Sequence, residues 1–170
     1  MNDVRTALDM QLNMAWQLFE YHMTNLSDEE WLWRPAARGL HVSDDNGVLR
    51  ADWPESESYD IGPASIAWLT WHIVYWWSMA LDHAFGNAEL QRNDVTLPGS
   101  VDEVKRRIGD LKEQWVSKLA ALEDAELAAT KLTKWPFTDK PFYTVAAWLN
   151  MELMKNASEI GYCRFLYATR

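Results

Sequence analysis

The chain has 170 residues and a mass of 19.8 kDa, the size of one domain that can bury its own core. It is 48% hydrophobic and 24% charged with only 7 Gly and 6 Pro, which excludes disordered, collagen-like and low-complexity classes. With 16 Lys+Arg against 25 Asp+Glu the formal charge is −9, a field that repels nucleic-acid phosphates and anionic lipid.

The elements follow in chain order. The N-terminal MNDVRTALDM is charged and has no continuous apolar stretch of the kind a secretion signal carries, so a cytoplasmic protein is expected. From Val4 to Leu26 the residues Val4, Leu8, Leu12, Ala15, Trp16, Phe19, Met23 and Leu26 recur at spacings of three and four, which predicts an amphipathic helix. Ser27-Asp28-Glu29-Glu30 reads as a capping box, the Ser27 hydroxyl accepting from the Glu30 amide while Glu30 reaches back. It opens a short helix over Asp28 to Trp33 that stops before Pro35. Residues 36 to 63 read as an irregular loop with no strand pair. Between Gly39 and Gly62 this loop holds six acids against one Arg, more than half of the excess charge. Loops of this length inside a compact domain are functional or solvated.

A second helix is predicted from about Pro63 to Phe85, with Gly86 ending it. Its segment Ala64 to Leu81 imitates a membrane span, but acidic flanks and internal His, Ser, Thr and Trp argue for a buried central helix, with no membrane partner. Ser100-Val101-Asp102-Glu103 opens a third helix on Val104, Ile108, Leu111, Trp115, Leu119 and Leu122. Asp124 to Ala129 adds a turn of helix. After the loop of Trp135-Pro136 and Lys140-Pro141, a last helix runs from Phe142 almost to Arg170. The expected architecture is all-α, a four-helix bundle over residues 1–170 with two long connections that permit crossovers.

The informative residues are polar ones on stripes that ought to be dry. Val145, Leu149, Glu152, Asn156, Ile160, Cys163 and Tyr167 share one face of the last helix. Leu69, His72, Trp76, Met79 and His83 form the comparable row on the second helix. Facing rows bring His72 near Glu152 and Asn156, where the three would have to satisfy one another, His72 donating to Glu152 and Asn156 bridging them. Trp76 and Leu149 would line the pocket around them.

Elsewhere, His22 is expected to be half-buried, His41 exposed in the acidic loop, and His83 close to the carbonyls that end its helix. Lys105, Arg106, Arg107 and Lys112 read as a solvated face. Cys163, the one cysteine, excludes a disulfide framework and a CxxC zinc site. The 11 Trp exceed ordinary usage, and Trp68, Trp71, Trp76 and Trp77 cover several faces of the second helix. They are divided between the core and a dimer contact. No P-loop, GxGxxG, nucleophile elbow or zinc-protease signature occurs.

The segments LSDEEWLWRP at Leu26 to Pro35, SIAWLTWHIVYWWSMALDHAFG at Ser65 to Gly86 and NMELMKNASEIGYCRFLY at Asn150 to Tyr167 together resemble the DinB-like, or damage-inducible, superfamily. The resemblance covers nearly the whole chain. It implies an up-down-down-up four-helix bundle, frequently a homodimer, in which many members hold a divalent metal with three histidines. His72 matches the histidine of the second helix, but Glu152 and Asn156 stand where the last helix would supply an H-x-x-x-H pair. One imidazole, one carboxylate and one amide oxygen, with Glu159 as a further oxygen, are a weak set for Zn, Ni or Mn.

Three functions follow as expectations. A degenerate metal site would leave a small-molecule pocket around His72, Glu152, Asn156 and Glu159. Alternatively, His72 and Glu152 would ligate a weakly bound divalent metal in a low-molecular-weight-thiol S-transferase. The third is a non-catalytic homodimeric interaction protein. No nucleic-acid partner is expected.

Overall fold

The computed structural model describes residues 2–56 and 58–170. The first helix, α1 (Asn2–Met23), buries Leu8, Leu12, Ala15, Phe19 and Met23 along one stripe. It ends before Leu26 because Asn25 adopts a left-handed φ of 56°, a conformation asparagine tolerates at helix ends. In α2 (Asp28–Leu32) the Ser27 hydroxyl accepts from the Glu30 amide at 3.2 Å. Only half of the expected box forms, because the Glu30 carboxylate turns to Arg164 at 3.0 Å. Trp31, fully buried beside it, donates its indole N–H to the Thr70 hydroxyl at 2.9 Å.

The expected irregular loop contains an antiparallel hairpin, β1 (Val42–Asp45) and β2 (Val48–Ala51), paired Val42 to Ala51 and Asp45 to Val48. Its turn is Asn46-Gly47, with φ of 56° and 84°. Both residues accept the left-handed conformation that a two-residue hairpin needs. An Asp52 carboxylate oxygen accepts from the His41 amide at 2.9 Å, and a parallel bridge of Leu40 with Ala64 ties the segment to the helices. His41 is therefore 5% exposed and not the solvated residue expected of an acidic loop.

The central helix, α3 (Ile66–Phe85), starts later than Pro63 because Ser65 caps it, accepting from the Trp68 amide at 3.2 Å. Most of its residues are buried, as expected for a helix apolar on nearly every side. Among the described residues no helix is long and apolar enough to cross a membrane. Its four tryptophans are consumed within the chain. The indole N–H of Trp68 donates to the Asp52 carbonyl and that of Trp71 to the Val95 carbonyl, each at 2.7 Å. Trp77 is buried against Trp16, and Trp76 packs on Trp135 and Trp148. Trp68, Trp71 and Trp77 are buried, and Trp76 is partly exposed.

Ser100 caps α4 (Val101–Ala120), which buries Val104, Ile108, Leu111 and Trp115, and α5 (Asp124–Ala128) follows. On α4, Lys105, Arg106 and Arg107 are exposed, and Lys112 lies 5.0 Å over the Trp16 ring. The last helix, α6 (Phe142–Ala168), packs beside α1, where Asn150 donates to the Leu8 carbonyl and Arg164 to the His22 carbonyl. The half-buried His22 imidazole lies directly on Gly161, so a side chain there would collide with it. Phe85 at the end of α3 touches both Trp115 and Phe142. The chain is thus mostly helical, with four long helices around one apolar cluster.

Candidate functional site

The fold brings His72 and Asn156 together. The His72 Nδ1 lies 3.1 Å from the Asn156 side-chain oxygen, and its Nε2 lies 2.7 Å from the indole nitrogen of Trp76. An indole N–H can only donate, so Nε2 accepts and the imidazole proton sits on Nδ1, donated to Asn156. The Asn156 amide nitrogen in turn donates to the Glu152 carbonyl at 2.8 Å, which leaves its oxygen facing the histidine. Each hydrogen bond fixes the orientation required by the next.

His72 is 7% exposed, Asn156 0%. Burial pushes the His72 imidazole from 6.5 down to about 4, with the Lys155 charge adding to the fall and the Asn156 hydrogen bond opposing it. The ring is neutral at pH 7. Trp68 stacks on it with centroids 4.7 Å apart.

Glu152 sits one turn from Asn156 as expected, but the His72 proton goes to Asn156 and not to its carboxylate. That carboxylate lies 3.8 Å from the Lys155 ammonium. Glu152, Glu159 and Trp76 line a cleft of about 940 Å³ with His72 in its wall. This volume suits a small organic molecule. Asn156 lies behind the lining, and Leu149, expected to line the pocket, is fully buried in the core instead. Leu149 shares the stripe, but a stripe 27 residues long passes from the cleft into the interior.

Residues 53–56, 58, 59 and 61–64 build the opposite wall, and Trp68, Lys155, Tyr162 and Cys163 complete much of the remainder. The acidic loop therefore belongs to the site, which its composition alone did not indicate. Lys155 carried a usable signal, three residues past Glu152 on the same helix face. Cys163 donates its thiol to the Ala64 carbonyl at 3.3 Å, and burial together with nearby Glu159 raises it to about 11, which keeps it a protonated thiol at pH 7. His83, in the last turn of α3 as expected, stacks on Trp135 with centroids 5.9 Å apart.

The donor set does not fit a tightly held divalent metal. Both nitrogens of His72 are engaged, by an indole N–H and by an amide oxygen, and Glu152 is approached by an ammonium. Among the described residues no three His, Cys, Asp or Glu side chains converge as ligands. The Trp76 indole would have to give up Nε2 before His72 could offer that lone pair to a metal, whereas the Nδ1–H donated to Asn156 could stay.

The sequence profile of a family described as the DinB superfamily matches residues 11–160. No curated protein and no solved structure matches the chain.

Proposed function

This chain belongs to the DinB superfamily, and on that premise we propose that it binds a small organic molecule in the cleft between α3 and α6, without a resident metal. The observation that carries this reading is the sealed hydrogen-bond chain Trp76–His72–Asn156–Glu152 in the wall of a cleft large enough for a ligand. Where histidine ligands would stand, the polar groups satisfy one another and leave the aromatic wall intact. The bundle is read as up-down-down-up. The pairings Leu8 with Asn150, His22 with Arg164, Ala64 with Cys163 and Phe85 with Phe142 support α1 and α6 running together and α3 running against them. This reading places the protein in the cytoplasm, where a single buried thiol such as Cys163 is at home.

Elemental analysis of protein purified without chelator tests the metal-free part. Substoichiometric zinc, nickel and manganese are expected, and near-stoichiometric metal would restore the transferase reading. Asn156→His, which supplies a second imidazole, should raise zinc affinity measurably above that of the natural chain.

The same reading includes a homodimer formed by α1 and α6 and not by the tryptophans of α3. The exposed Met14, Tyr21, Met151 and Phe165, at 56%, 72%, 64% and 71%, support a second copy on these helices. Light scattering should give twice the chain mass at micromolar concentration, and Phe165→Glu should return the monomer.

A further inference from the structure

The chemistry of the cleft selects among ligands, an inference that rests on the binding site proposed above. The buried donors of its wall are already spent. Trp68 gives its indole N–H to the Asp52 carbonyl, Trp76 gives its own to His72, His72 gives its proton to Asn156, and Cys163 gives its thiol to Ala64. An anion or a hydrogen-bond acceptor entering along this wall would lose water without gaining these donors. What the wall still offers is indole surface on the exposed Trp53 and the half-buried Trp76, Trp68 being stacked on His72.

The charges point the same way. Among the described residues the cleft is lined by three carboxylates, Glu55, Glu152 and Glu159, and by one ammonium, Lys155. Lys155 is half exposed and leans on Glu152, while Glu55 and Glu159 have no ion-pair partner among the described residues. A lining tryptophan already engages a cation: the Arg92 guanidinium lies 4.8 Å over the Trp53 ring. Carboxylates beside indole faces attract a cation twice over, by Coulomb attraction and by the ring quadrupole.

The geometry points to an organic cation as the occupant, an ammonium or guanidinium on an apolar body, its charge toward Glu159 and Glu55 and its body along Trp53 and Trp76. Benzylammonium, benzyl alcohol and benzoate share one ring and differ in charge, so titrating each into the full-length protein by calorimetry reads the preference. Benzylammonium should bind at least about tenfold more tightly than the other two, and Glu159→Gln should remove most of that advantage. Equal or tighter binding of the alcohol or the benzoate overturns the cation preference and leaves the cleft as a site. An advantage that survives intact in both Glu159→Gln and Glu55→Gln also overturns it. If none of the three probes binds the folded protein at millimolar concentration, the binding cleft falls and the cation preference falls with it.

Discussion

His72 should make folding stability depend on pH in a way that one substitution isolates. Its imidazole is lowered from 6.5 to about 4 in the folded chain, chiefly by burial. Above pH 6.5 the ring is neutral in both folded and unfolded states and contributes no dependence. As the pH falls through 6.5 the unfolded chain takes up a proton that the folded chain refuses, so stability drops. The loss continues until the folded ring titrates near pH 4 and is complete below it. Integrating between the two values gives about 2 kcal/mol lost from pH 8 to pH 5 and about 3 kcal/mol in full. The comparison variant is His72→Gln, whose carboxamide can donate to Asn156 and accept from Trp76 without titrating. Urea unfolding of both proteins at the two pH values is the assay. His22 and His41, also lowered by burial, titrate in both chains and cancel. The natural protein should lose about 2 kcal/mol more than the variant over this interval. Equal losses would refute the buried, neutral, doubly bonded imidazole.

Three further outcomes follow from other contacts. Thr70→Val removes the acceptor of the buried Trp31 indole N–H and should cost about 1–2 kcal/mol by urea unfolding, with Trp31 fluorescence changed in the folded state. Arg164→Met strands the Glu30 carboxylate and the carbonyls of His22 and Thr24. It should cost about 3 kcal/mol by the same assay, and adding Glu30→Gln should recover part of that loss. Gly39→Ala places a methyl against the Pro63 backbone carbonyl, where the cleft wall joins the bundle. It should destabilise the chain by about 1–3 kcal/mol and speed proteolysis within residues 40–63.

The acidic stretch shows how a legible local signal can lose to a global impression. Asn46-Gly47 flanked by Val42 and Val48 is a hairpin signal by turn chemistry alone, yet the net charge and scattered Gly and Pro favoured an irregular loop. His41 departs from expectation for a different reason. Its surroundings come from Asp52 and Arg34, neither of them a helical neighbour.

Helices, caps and stripes were decided locally: spacings of three and four, Ser27, Ser65 and Ser100 at helix starts, and the places of His72 and Asn156 on their own helix rows follow from period and sequence order. Which partner each polar group chose was decided only by tertiary contact. His72 and Asn156 are 84 positions apart, and Trp76, Lys155 and the folded-over residues 53–56 and 61–64 compete with Glu152 for the same space. Hydrogen bonds reach barely 3 Å, so a periodicity that places a residue on the right face cannot choose among donors and acceptors that meet there once the chain has closed on itself.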